Sequence, residues 1–137
     1  MPKDGRCTIL HVEDDPDDAF LFDRAFSRAV IPCDLLRVDS AEKARCYLLG
    51  QEPYSDRERF PFPNLILTNL NLRDESAASF IRWLRDRPSF AGIPVASLTG
   101  TDDPRKLAPL TALGVSIIRK TSLFNDALGV IRKLVFP

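Results

Sequence analysis

A chain of 137 residues carries 19 Lys and Arg against 19 Asp and Glu, a formal net charge of zero. The length suits one domain, and a hydrophobic share of 45% supplies one sizeable core. The charge balance argues against a nucleic-acid binder, no apolar run nears the roughly 20 residues that span a bilayer, and Met1–Arg6 lacks the apolar stretch of a secretory signal.

Short apolar runs alternate with longer amphipathic ones, without an internal repeat or low-complexity segment. Cys7–Val12 is rich in β-formers and predicts a buried strand. Asp15-Pro16-Asp17-Asp18 starts a helix: Asp15 caps, Pro16 fits the first helical position, and the two acids favour the positive end of the dipole. Phe22, Ala25, Phe26 and Ala29 recur at helical spacing as its core stripe. After Pro32 a second strand is expected at Leu35–Val38. Ser40 caps a second helix that ends at Gly50. Residues 51–63 are polar and proline-rich, and read as a surface loop.

Leu65–Leu70 predicts the third strand. A helix over Ser76–Arg87, with Phe80, Ile81 and Leu84 on one face, ends before Pro88. Ile93–Leu98 is the fourth expected strand, followed by a helix from Asp102-Asp103-Pro104 to Leu113-Gly114. Val115–Ile118 is the fifth, and Ser122 caps a last helix with Leu123, Ala127, Val130, Ile131 and Leu134 at helical spacing. Five strand–helix repeats imply an α/β fold: a five-stranded parallel sheet, doubly wound as (βα)5, in one domain over residues 1–137 with its core at about 7–135.

In such sheets ligands bind beyond the carboxyl ends of the strands, at the point where strand order reverses. Those ends carry Glu13-Asp14-Asp15, Asn69, Leu98-Thr99-Gly100 and Arg119-Lys120-Thr121. Carboxylate and amide oxygens suit Mg²⁺, and Thr99 with Lys120 can bind phosphoryl oxygens. Asp17 and Asp18 read as favourable acids of a helix N-terminus. His11 falls inside a buried strand and reads as a packed, hydrogen-bonded core residue. Cys7, Cys33 and Cys46 show no CxxC spacing and read as small hydrophobes or surface thiols. Their odd number predicts a reducing, cytoplasmic setting. Trp83, among Arg82, Arg85 and Arg87, reads as a stacked surface residue. Arg57, Arg59 and Phe60-Pro61-Phe62-Pro63 read as a loop pinned by an aromatic ring.

The order and spacing of ILHVEDDPDD, NLILTNLNL, IPVASLTGTDDP and IIRKT resemble the receiver domain of bacterial response regulators, over roughly residues 7–135. The resemblance implies a flavodoxin-like receiver fold. It implies that Glu13 and Asp14 organise Mg²⁺, that the Asn71 carbonyl is a further metal ligand, that Thr99 is the switch hydroxyl, and that Lys120 pairs with the phosphoryl group. It also places Asn69 where the family has its phospho-accepting aspartate. A neutral carboxamide is a poor nucleophile, so Asn69 argues against phosphotransfer and for weakened Mg²⁺ binding. Arg73, Ala77, Ile117 and Thr121 also depart from the family's usual Pro, Gly, aromatic and Pro.

These observations lead to the expectation of a stand-alone, non-enzymatic receiver in a two-component phosphorelay, acting through protein contacts independently of phosphorylation. The expected partners are a sensor histidine kinase or another signalling protein, or a second copy of the chain through residues 103–113, 115–118 and 122–134, with no nucleic acid or membrane. Three alternatives stay open at this point: an ordinary receiver whose Asp was engineered to Asn69, a small phosphohydrolase-like enzyme of the same sheet order, and an adaptor that only dimerises.

Overall fold

The computed structural model describes residues 7–120 and 124–136. Five strands, β1 (Cys7–Val12), β2 (Cys33–Val38), β3 (Leu65–Asn69), β4 (Val95–Thr99) and β5 (Ser116–Arg119), alternate with five helices. The helices are α1 (Pro16–Arg28), α2 (Ala41–Leu49), α3 (Ala77–Arg85), α4 (Pro104–Thr111) and α5 (Asn125–Val135). All strand pairs are parallel, in the order β2-β1-β3-β4-β5. The strand order reverses between β1 and β3, so the crevice expected for a ligand lies past Val12 and Asn69.

The fully buried runs of β1, β3 and β4 show why these segments are continuously apolar: each is covered on both faces. On one face Leu10, Val12 and Ile66 pack against Ala44, Tyr47 and Leu48 of α2, Phe80, Ile81 and Leu84 of α3, and Leu110 of α4. On the other, Ile9, Leu65, Leu67 and Leu98 pack against Phe22 and Phe26 of α1 and Ala127, Leu128 and Ile131 of α5.

Local signals act as their chemistry requires. The Asp15 side chain accepts from the amides of Asp17 and Asp18, and Ser40, Ser76 and Asp103 cap α2, α3 and α4. Gly50 closes α2 at φ 68°, under the Arg57 guanidinium. Arg57 donates to the carbonyls of Tyr47, Leu48 and Phe60, and Phe60 packs edge-on to Tyr47 and Tyr54. The loop over 51–63 is thus pinned as its aromatic content suggests. Trp83 is half-buried, stacked between Phe80 and Phe90 with the Arg87 guanidinium 4.1 Å from its ring centroid.

Three expectations are corrected. The helix expected to run to Leu113-Gly114 ends at Thr111, and Gly114 turns the chain at φ 76°. Pro109 lies inside it and has no amide hydrogen to offer the carbonyl one turn back. The last helix begins at Asn125, and the cap expected at Ser122, with Leu123, falls outside the described residues. Cys7 and Cys33 are not free thiols. They are register partners with Cα atoms 4.4 Å apart, and their sulfurs are joined in a disulfide, while Cys46 is free. The cysteines therefore do not argue for a reducing compartment. The pairing had no sequence signature because parallel strands, not residue spacing, bring the two together.

The disulfide joins residues 26 apart, bridging edge strand β2 to β1. Reduction is expected to lower the unfolding free energy by about 3 kcal/mol on the loop-entropy scale. Urea unfolding with and without a phosphine reductant checks this. The Cys7→Ala/Cys33→Ala variant should reproduce the reduced midpoint and no longer respond to reductant.

Candidate functional site

Register builds the site. Val12 pairs with Thr68, so the next residues, Glu13 and Asn69, emerge side by side at the switch point. The Lys120 amide donates to the Thr99 carbonyl at 2.8 Å, which sets Lys120 just beyond β4 and β5.

Glu13 is the centre of this group and only 1% exposed. Its amide is fixed by the Val38 carbonyl at 2.9 Å, and its carbonyl accepts from Arg37 Nε at 2.9 Å. Its Oε2 accepts from the Asn69 amide Nδ2 and from the Asp15 amide at 3.2 Å. Its Oε1 faces Lys120 Nζ at 4.0 Å. Burial raises the Glu13 pKa above the usual carboxylate value, and the Asp15, Asn69 and Lys120 donors only partly offset it. Asn69 Nδ2 also reaches Asp14 Oδ1 at 3.5 Å. The Asn69 amide therefore lies against both acids and stands where they would otherwise repel each other.

Glu13, Asp14, Asn69 and Lys120 are thus brought together. The Thr99 hydroxyl and the Asn71 side chain make other contacts. The Thr99 hydroxyl accepts from the Thr101 amide at 3.1 Å and faces the Thr101 carbonyl at 3.4 Å, so it is held by its own turn. Asn71 is exposed, in a β-bridge with Ser76.

Sequence reasoning missed Asp18. Rather than only favouring the helix dipole, its carboxylate binds Lys120 Nζ at 3.0 Å. A signal was present: Asp18 stands four residues before Phe22 and eight before Phe26, on the buried stripe of α1. An acid on that stripe, one turn above the core, points over the strand ends.

The expectation for His11 is corrected in part. It is packed, with its ring centroid 4.9 Å from that of Phe22, but its buried Nε2 has no hydrogen-bond partner among the described residues. Burial, with Arg37 and Lys120 nearby, lowers its pKa from 6.5 to about 3.

The donor chemistry here is hard: two carboxylates and the Asn69 Oδ1, which is buried and has no hydrogen-bond partner among the described residues. Such oxygens fit a hard divalent cation, with one anionic donor fewer than three carboxylates would give. Among the described residues no group of three His, Cys, Asp or Glu side chains converges as a metal site. Nor is any helix among them long and apolar enough to cross a membrane.

The fold matches that of solved proteins. The chain superposes on the phosphorylated cyanobacterial phytochrome response regulator RcpA with a TM-score of 0.84, at 23% identity and 96% coverage of both chains. It superposes on RPA3017, a response regulator in red light signalling of R. palustris, with a TM-score of 0.83, at 26% identity over 93% of this chain and 90% of that one. The chain has the response-regulator receiver fold. In sequence, the chain is 32% identical to the response regulator Rcp1 of Synechocystis over 91 residues, 66% of the chain. That alignment spans 60% of Rcp1, three-fifths of its length. The Mn²⁺-bound form of Rcp1 superposes with a TM-score of 0.81 at 26% identity, covering 95% of each chain. No family model matches the chain.

His11 gives the chain a testable pH dependence. The unfolded imidazole protonates near 6.5 and the folded one near 3, so between these values the unfolded chain binds more protons. His11 therefore adds stability that is complete above pH 6.5 and is lost as the pH falls towards 3, by up to about 1.4 kcal/mol per unit. Glu13, with its raised pKa, acts in the opposite sense above its ordinary value of 4.5. Urea midpoints at pH 7, 6 and 5 should fall with pH, and should fall less steeply in His11→Phe, where the Glu13 contribution persists. Equal slopes would exclude the imidazole as the source.

Proposed function

We propose that the chain serves as a receiver domain in two-component signalling, with Asn69 at the position where such domains accept a phosphoryl group, and that its output is independent of phosphorylation. The single observation that carries this reading is the Asn69 amide. It emerges at the switch point beside Glu13 and donates to the acid pair. A carboxamide oxygen offers no anionic nucleophile to phosphorus. Lys120, which would face a phosphoryl group, is instead paired with Asp18 and Glu13. The similarity to Rcp1, RcpA and RPA3017 supports the signalling assignment.

In this reading the domain acts by binding. Its partners are a sensor histidine kinase, another signalling protein or a second copy of the chain, and no catalytic step is assigned to it. Glu13 and Asp14, with the Asn69 carbonyl oxygen and the backbone carbonyl of Asn71, would hold Mg²⁺, more weakly than a site with a third carboxylate. Such a cation would supply charge neutralisation of the acid pair, a task the Asn69 amide already performs in part.

Incubation with acetyl phosphate and Mg²⁺ followed by mass spectrometry tests the reading. The peptide containing Asn69 should show no added phosphoryl mass, and the same peptide from Asn69→Asp should show it. A phosphoryl group on the unmodified chain at residue 69 would overturn the proposal. In metal-free buffer Asn69→Asp should be destabilised by roughly 1–3 kcal/mol, through loss of a charge-assisted hydrogen bond and gain of a like charge. Mg²⁺ should restore that loss, and calorimetry should show tighter Mg²⁺ binding than in the unmodified chain. No gain in affinity would show that Glu13 and Asp14 do not act as ligands.

A further inference from the structure

A cleft of about 380 Å³ opens between α3 and α4, and it carries a charge pattern that the site above does not use. Arg82 of α3 and Arg105 and Lys106 of α4 line it, and no carboxylate does. This local surplus stands in a chain whose formal charge is zero. All three cations are exposed. Asp103 lies nearby, but its carboxylate caps the Arg105 amide at 3.0 Å and meets Arg105 Nε only at 3.5 Å.

The placement within α4 is a second observation. Arg105 and Lys106 occupy the first turn, where the helix dipole is already positive, and that turn contains no acid. Cations there are disfavoured, and an anion is favoured. The first turn of α1 shows the usual arrangement, with Asp17 and Asp18. Asp103 meets the positive field of α4 at the cap, while Arg105 and Lys106 add positive charge in the turn that follows.

The floor of the cleft is apolar, built by Leu70, Pro109 and Leu110, with Asn71 and Ser76 among the polar lining groups. Two guanidinium forks and one ammonium suit phosphate oxygens, and an apolar floor suits a flat ring. We propose that the α3–α4 cleft binds a phosphate-bearing small ligand of the nucleotide class. Leu70 and Asn71 directly follow Asn69, so an occupant of the cleft touches the segment that carries the acceptor position. This inference rests on the reading of a receiver regulated without phosphorylation, for which the ligand supplies the input. A compact cleft with an apolar floor favours a small ligand over an acidic peptide, which would need a longer basic track.

Isothermal titration calorimetry with the whole chain tests this, using ADP as probe in buffer with chelator and no phosphodonor. Failure here is therefore distinct from labelling of residue 69. ADP should bind with one-to-one stoichiometry. Arg82→Ala and Lys106→Ala should each weaken it at least tenfold, while Arg24→Ala, on α1, should change it less than twofold. The three side chains are exposed, and thermal melts of the variants should match the unmodified chain. The inference is overturned by absence of binding at millimolar ADP, or by equal losses in all three variants. Pyrophosphate binding as tightly as ADP would also overturn it, as would a hexaglutamate peptide binding more tightly than ADP.

Discussion

A carboxylate buried at the end of a central strand is the constraint around which this molecule is arranged. Glu13 leaves β1 with almost no exposure to water, and an unpaired charge there would cost several kcal/mol. The fold answers with donors from three directions: the Asp15 amide at the start of α1, the Asn69 amide at the end of β3, and the Lys120 ammonium beyond β5. Each donor comes from a different strand–helix unit. The site is therefore a product of the parallel register and not of any single segment. Removing the strand reversal between β1 and β3 would separate Glu13 from Asn69 even if both strands survived.

The identity of the residue at 69 then decides what this cluster can do. With an aspartate there, three acids would meet at one sheet edge, and only a cation or a proton would relieve them. With Asn69, the relief comes from the protein itself, because the amide donates hydrogens to the same oxygens a metal would approach. Lys120 is likewise engaged by Asp18. The relief is partial, because Glu13, Asp14 and Asp18 outnumber the one ammonium.

Much of this was legible in the sequence. The alternation of apolar runs with amphipathic segments was enough to expect all ten elements, and α1 to α4 each begin at a side-chain cap. Glu13, Asp14, Asn69 and Lys120 were legible because strand ends in a parallel sheet converge. The misreadings share a physical cause: they depend on contacts between segments far apart in the chain. Asp18 pairs with a lysine 102 residues away. Cys7 and Cys33 meet only because β1 and β2 are adjacent. His11 was expected to find a partner for its ring, yet its Nε2 lies within packing that supplies none. The Thr99 hydroxyl, by contrast, is bonded locally, to the Thr101 amide.

The zero net charge conceals two unlike regions. At the ends of β1 and β3, acids are matched by an amide and an ammonium within hydrogen-bonding or ion-pair range. Along α3 and α4, Arg82, Arg105 and Lys106 gather with no carboxylate lining the cleft between them. Electrostatic free energy depends on such local sums and not on the total, since screening limits exposed charges to about 10 Å of influence at moderate salt. A cluster bonded within the fold holds it in place, whereas exposed cations met only by the Asp103–Arg105 pair have attraction to spare for something outside. On that reasoning the acid pocket contributes structure and the basic cleft is the surface left to respond.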